Sequence, residues 1–261
     1  MRIRLLAAVL LAVAAAAAAG PPDVQTIVDR MRAAMEPPRA STRRFTLTVS
    51  GEGAETRFTV AQARKIVEGR LRMLTVVLGP PEQRGVASLI TQGGGGQPDV
   101  RALWVPAVRR TRLLTPVGGF EAYLNSDFTY ADLGFVDTQA RYSLLGASTH
   151  DGRPGWQVQA VPREDWYYSK IVWTVDAGTL LPLERSYYDP AGVLWKVERF
   201  EDVTVIDGQP VATHVTMEDR HTKQSSELVV EALEFAVDLP DALFQPRNLR
   251  SAIDSPLWPG K

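Results

Sequence analysis

The stretch Leu71-Arg72-Met73-Leu74-Thr75-Val76-Val77-Leu78 is apolar at odd and even positions alike. Successive side chains of a β-strand point to opposite faces, so this segment needs packing partners on both sides of its sheet. Elsewhere the alternation is one-sided. Phe45, Leu47 and Val49 point one way with Arg44, Thr46 and Thr48 the other; Trp156, Val158 and Ala160 repeat the pattern, as do Ile171, Trp173 and Val175. Further strands are expected around residues 100–105, 109–115, 180–188, 193–200, 211–217 and 227–235. Asp151-Gly152 and Asp207-Gly208 are favoured hairpin dipeptides, while Asp176-Ala177-Gly178 and Asp189-Pro190-Ala191-Gly192 make slightly longer loops. Short links between successive strands predict an antiparallel meander. A sheet of ten or more strands curls, and a flat open one would expose long edges. A half-closed barrel is therefore expected, with a helix against one face or a greasy cavity inside it.

That helix is readable near the start, where Val24, Ile27, Val28, Met31 and Met35 form one apolar stripe. Pro21 and Pro22 suit a helix start, Asp23 favours the positive end of the dipole, and Pro37-Pro38 stops it. Ahead of it, Met1-Arg2-Ile3-Arg4 is a short positive region followed by an unbroken apolar run from Leu5 to Ala19. This reads as a secretory signal, residues 1–19, cleaved near Ala19/Gly20, because 15 mostly alanine residues fall short of the ~20 needed to span a bilayer. Residues 20–261 then form a single domain, since neither a Pro/Ser linker nor an internal repeat divides them. Gly93 to Gly96 reads as a flexible hairpin tip.

The chain holds no cysteine, which excludes disulfides, thiolate ligands, cysteine nucleophiles and a lipobox acylation site. Export without disulfides suits a bacterial periplasm, for a mature protein that is not itself lipidated. Removing Arg2 and Arg4 takes the 29 basic residues to 27, against 30 acidic ones. Near neutrality argues against a nucleic-acid partner, which demands a basic excess.

Catalytic and metal chemistry is not signalled. His150, His214 and His221 show no metal-ligand spacing with one another or with a carboxylate. Ser148, His150 and Asp151 are adjacent in sequence, but triads are assembled from separate elements and no G-x-S-x-G elbow accompanies them. Gln92-Gly93-Gly94-Gly95-Gly96-Gln97 lacks the Lys-Ser/Thr and following helix of a phosphate loop. Neither an enzyme nor a bound cofactor or metal is expected.

The segment RALWVPAVRRTRLLTPVGGFEAYLNSDFTYADLGFVD, Arg101 to Asp137, combines an aromatic, a proline, an arginine-rich strand and an S-D-F-x-Y-x-D-L block. It resembles the outer-membrane lipoprotein-sorting proteins of the broader LolA-like group. Matching pieces are Gly79-Pro80-Pro81-Glu82-Gln83-Arg84-Gly85, Leu144-Leu145-Gly146, Leu181-Pro182-Leu183, Tyr187-Tyr188-Asp189 and Leu239-Pro240-Asp241-Ala242-Leu243-Phe244. The resemblance implies a mainly β (α+β) fold: a strongly curved antiparallel sheet forming an incomplete barrel, with the N-terminal helix and short helical segments covering a hydrophobic cavity. It also implies a periplasmic carrier that takes the acyl chains of lipoproteins or lipids. Its partners would include an inner-membrane transporter or an outer-membrane acceptor. The alternative is an envelope regulator or adaptor that uses the same fold to sense lipoproteins or to bind a membrane complex, since fold alone does not choose between them.

On this reading Leu74, Val76, Leu78, Trp104, Phe128 and Tyr130 are candidates to line the cavity. Arg109, Arg110 and Arg112 are candidates for a basic rim that meets a partner or anionic headgroups, against the plainer reading of a solvated strand that discourages edge aggregation. Ser126 and Asp127 are N-cap types, and Asp132 is placed to satisfy backbone donors in the same turn, so these three are read as structural.

Overall fold

A computed structural model of the chain describes residues 22–35, 37, 39–93, 99–115, 121–133, 140–163 and 167–259. The expected leader, residues 1–19, and the tip residues Gly94 to Gly96 lie outside the described residues. Helix α1 spans Val24–Met35 and buries Ile27, Val28 and Met31, as the stripe predicts. Asp23 caps it, its carboxylate accepting the Thr26 amide at 3.1 Å. Among the described residues no helix is long and apolar enough to cross a membrane.

Six strands follow in one meander: β1 (Ser41–Ser50), β2 (Thr56–Val67), β3 (Arg70–Gly79), β4 (Ala87–Thr91), β5 (Val100–Val105) and β6 (Arg110–Leu113). After a short helix, α2 (Tyr130–Leu133), a second meander contains β7 (Ala140–His150), β8 (Arg153–Pro162), β9 (Lys170–Asp176), β10 (Pro182–Tyr188), β11 (Leu194–Ile206), β12 (Gln209–Asp219) and β13 (Ser225–Phe235). All thirteen make one antiparallel sheet in the order β6-β5-β4-β3-β2-β1-β13-β12-β11-β10-β9-β8-β7. The sheet is curved but not closed into a barrel, as expected. β1 and β13 are the seam between the two meanders, with Phe45 opposite Val230 and Leu47 opposite Leu228.

β6 and β7 are the two edges, so the chain joining them must pass over a face of the sheet. Its described part, residues 121–133, lies on the face that also carries α1, here called inner, and it is aromatic because it is buried there. Tyr123, Phe128, Tyr130 and Leu133 pack with Phe45, Leu47, Val60 and Met73. Helix α1 covers the same face further along, on Val158 and Val175.

The outer face is capped by the C-terminal segment, which folds into two 3-10 turns, Asp241–Phe244 and Pro246–Asp254. Leu239, Phe244, Leu249, Ala252 and Trp258 lie over Ala61, Ala63, Leu74, Val76, Leu89 and Ala102. This explains the two-sided apolarity of β3: Leu71, Met73 and Val77 face the inner core, whereas Leu74 and Val76 face the C-terminal cap. Strands β2, β4 and β7 were not legible as strands. β2 places Ala61 and Ala63 opposite Phe58 and Val60 and carries Arg64 and Lys65 near its end, β4 is five residues long, and β7 is interrupted by a register shift between Leu144 and Gly146.

Two aspartates anchor turns of the second meander. Asp176 accepts the amides of Gly178 and Thr179 at 2.9 and 2.6 Å and pairs with Arg153 at 2.8 Å. Asp219 accepts the amides of His221 and Thr222 at 2.8 and 2.9 Å and the Trp195 indole N–H at 2.8 Å. Burial alone would raise both carboxyls, but these hydrogen bonds and the neighbouring cations outweigh it and hold both below the usual aspartate value. A depressed native pKa contributes stability that is present above the unfolded value, about 3.9, and is lost as pH falls through the native value. Wild type is therefore expected to lose more stability between about pH 5 and pH 2 than an Asp176→Asn/Asp219→Asn variant, as measured by urea unfolding at stepped pH.

Candidate ligand cavity

A cavity of about 120 Å³ lies on the inner face across the seam. On this measure one water needs about 10–15 Å³, so the space suits a short chain better than a lone solvent molecule. The C-terminal end of α1 contributes Met35, α2 contributes Leu133, and the second meander contributes Phe200, Val211 and Val215. The bulge in β13 sets the wall. Arg44 pairs with Ala232 and Phe45 with Val230, leaving Glu231 as the extra residue. The bulge keeps Val230, Leu233 and Phe235 on the cavity side, while Glu231 reaches outward to Arg44 at 2.8 Å.

One patch of the wall is polar. Ser41 and Arg43 of β1 lie opposite Arg64 and Gln62 of β2, and all four line the cavity. Gln62 donates to Thr75 Oγ1 at 3.3 Å, and Arg64 donates to the Pro37 carbonyl at 3.3 Å. The Arg43 guanidinium stacks over the Phe45 ring at 5.2 Å, and its buried Nε has no hydrogen-bond partner among the described residues. Burial, together with the neighbouring Arg64 charge, pulls the Arg43 pKa down to about 10.

A buried polar network sits beside Phe200. Arg185 and Glu198 pair at 2.5 Å, and the Tyr187 hydroxyl donates to the same Glu198 oxygen at 2.6 Å. Arg185 also lies over the Trp173 and Phe200 rings at 4.7 and 5.1 Å. Burial pushes the Glu198 carboxyl up, with Arg185 opposing it.

The residues singled out from sequence occupy three different places. Leu74 and Val76 lie on the outer face under the C-terminal segment, and Leu78 and Trp104 pack against the same cluster. Their placement differs from the cavity expectation because β3 alternates: its odd residue Met73 lines the cavity, and its even residues point away. Phe128 and Tyr130 are on the inner face, but in the packed core rather than on the cavity wall. Their neighbour Leu133 reaches the wall.

Arg109, Arg110 and Arg112 are at the far edge of the sheet. Arg109 has φ +48° and closes the 3-10 turn Pro106–Val108. Arg110 and Arg112 lie on the fully exposed edge strand β6, where Arg112 pairs with Glu121 at 2.9 Å. None of the three lines the cavity; Arg109 borders an exposed outer groove with Trp104, Arg84 and Arg250.

The capping residue of α2 is Thr129. Its hydroxyl accepts the Asp132 amide at 3.1 Å, and Asp132 Oδ2 accepts the Thr129 amide at 2.8 Å, a reciprocal capping box. Asp132 thus serves the turn as expected. Ser126 instead donates to the Tyr123 carbonyl at 2.6 Å, and Asp127 ties the crossing segment to the sheet. The Asp127 carboxylate accepts from Ser226 at 2.6 Å and Gln224 at 3.2 Å, and its carbonyl accepts from Lys196 at 2.6 Å. Asp127→Ala is expected to lower stability by about 1–3 kcal/mol in urea unfolding, since it strands Ser226 without its acceptor, while ligand uptake by the folded protein persists.

The polar patch and the β13 bulge were missed at the sequence level. No local pattern marks Arg43 or Arg64; the pairing of β1 with both β2 and β13 brings them to the cavity.

The fold is that of the LolA-like proteins. It is shared with an outer membrane lipoprotein-sorting protein domain from Vibrio parahaemolyticus, at 22% identity and a TM-score of 0.80, over 86% of this chain and 97% of the other. A DUF1329 family protein from Desulfovibrio piger also aligns at 22% identity and a TM-score of 0.80, over 88% of this chain and 100% of the other. A LolA superfamily protein from Nitrosomonas europaea aligns at 19% identity and a TM-score of 0.71, over 86% and 98%. No curated protein sequence matches the chain. A family model described as an uncharacterized protein matches residues 69–251, and the chain belongs to that family.

Proposed function

We propose that this protein is a carrier that holds an acyl chain, of a lipid or a lipoprotein, in the cavity between α1, α2 and the inner face of the sheet. The observation that supports this most directly is the lining: Met35, Met73, Leu133, Phe200, Val215, Val230, Leu233 and Phe235 converge on one space from both meanders. Burial supplies about 0.8 kcal/mol per methylene, so about eight methylenes give roughly 6 kcal/mol before the cost of association. The role assigned is binding without covalent chemistry. Cleavage near Ala19 and residence of residues 20–261 in the periplasm as one domain belong to the same proposal, as does transfer of the chain to or from a membrane-bound partner.

The test is uptake of a fluorescent fatty acid. Val230→Trp fills the cavity and is expected to weaken uptake at least tenfold with an unchanged circular dichroism spectrum, whereas Leu74→Ala leaves uptake by the folded protein intact. Unchanged uptake by folded Val230→Trp protein overturns the placement of the ligand.

A further inference from the structure

We propose that the outer face of the β5–β6 edge is a docking surface for an anionic phospholipid bilayer; this deepens, and for its purpose rests on, the carrier reading above. In the β5–β6 register Ala102 faces Leu113 and Trp104 faces Thr111. Cross-strand partners share a face, and Ala102 and Trp104 belong to the outer cluster, so Leu113 stands on the outer face as well. The turn Pro246–Asp254 packs against β5 and β6. Together with the β3–β4 loop it completes an open groove in which Trp104 meets Arg84, Arg109 and Arg250. Asp254 is the one carboxylate among the described lining residues. Side chains three apart eclipse in a 3-10 turn, so the exposed Arg247 stands one turn behind Arg250 on the same ridge.

The charges of this groove lack partners. Arg84, Arg109 and Arg250 are exposed and form no ion pair among the described residues, although Arg84 donates to the Leu78 carbonyl at 2.9 Å. Arg112, on the other face of β6, pairs with Glu121 instead. Against a mature chain of 27 basic and 30 acidic residues, three such cations beside one acid are a local excess of the opposite sign. Apolar side chains stand beside them. Val108 is 63% exposed next to Arg109, and Leu113 is 68% exposed on β6. Neither lines the groove, so both project from the rim, where an acyl-headgroup boundary gives them somewhere to go. Guanidinium forks pair with lipid phosphates, and tryptophan favours the same boundary. β6 lies five strands from β1, about 24 Å along the sheet, so a bilayer here leaves the inner-face cavity uncovered.

The experiment is sedimentation of the mature chain, residues 20–261, with vesicles of phosphatidylcholine alone or of phosphatidylcholine and phosphatidylglycerol in equal parts. Wild type is expected to bind the anionic vesicles at least about tenfold tighter, an advantage that shrinks as salt rises. Arg109→Gly/Arg250→Gln should lose about tenfold or more on anionic vesicles. Its melting temperature should stay as in wild type, because no ion pair is broken and glycine suits the left-handed backbone of residue 109. Val108→Glu should weaken the same binding, whereas Arg30→Gln/Arg163→Gln, which removes equal charge from exposed positions elsewhere, should bind as wild type. Equal losses in the two double variants would reduce the effect to net charge and overturn the docking surface. Indifference of wild type to anionic lipid would overturn it too, in favour of an acidic protein at this groove. Fatty-acid uptake by the same proteins separates the two readings. Uptake retained by Arg109→Gly/Arg250→Gln supports a dock distinct from the cavity, and wild type that binds anionic vesicles but takes up no fatty acid keeps the dock and removes the carrier.

Discussion

Trp258→Ala is expected to lower the unfolding free energy by about 3–5 kcal/mol. Trp258 is 2% exposed and its indole N–H donates to the Ala252 carbonyl at 2.8 Å, so the ring locks the last 3-10 turn onto the sheet. Its loss leaves a cavity between Leu249, Ala252 and the outer residues of β3 and β4, and it removes one of two donors to the Ala252 carbonyl, the Ser255 amide at 3.2 Å being the other. Because these residues lie across the sheet from the ligand cavity, folded Trp258→Ala protein should still take up a fatty acid. Trp258→Phe keeps most of the packing and should lose well under half as much stability. Urea unfolding measures all three; a loss under about 1 kcal/mol for Trp258→Ala would show that the outer cap is dispensable.

Glu198→Ala is expected to cost about 3–5 kcal/mol by a different route. The change leaves the Arg185 guanidinium, 5% exposed, facing a methyl group, and takes away the acceptor of the Tyr187 hydroxyl. A buried pair of this kind is weak evidence for net stabilisation, so the double variant Arg185→Met/Glu198→Leu should recover most of the loss. Recovery separates a charge left uncompensated from a packing defect, since a packing defect would deepen when both residues change. Phe200 lies beneath Arg185 and also lines the cavity, so the single variant should lower ligand affinity as well, and the double variant should restore it only where Phe200 regains its position.

The sequence carried the architecture well because alternation, turn dipeptides and the α1 stripe are local signals. Trp156, Val158, Ile171 and Trp173 declare their faces within a few residues, and α1 ends where its prolines say it should. Side selection was another matter. Leu74 and Val76 were legible as buried but not as buried under Trp258 and Phe244, because nothing local reveals that a segment more than 160 residues later folds back over the outer face. Arg43 looked no different from Arg44, although one faces the cavity and the other pairs outward with Glu231. Asp127 was recognisable as a structural residue, but its partners Ser226 and Gln224 lie about a hundred positions away.

The seam carries a kinetic consequence. Within each meander, neighbouring strands are joined by hairpins and can pair soon after they are made, but β1 must wait for β13, with Phe45 opposite Val230. Closing so long a loop is entropically slow relative to local pairing, and non-local contacts dominate folding time. Arg43 and Gln62 belong to one side of that junction, Val230 and Leu233 to the other. The two half-sheets can thus exist before the cavity does, and the binding site comes into being only with the last long-range pairing.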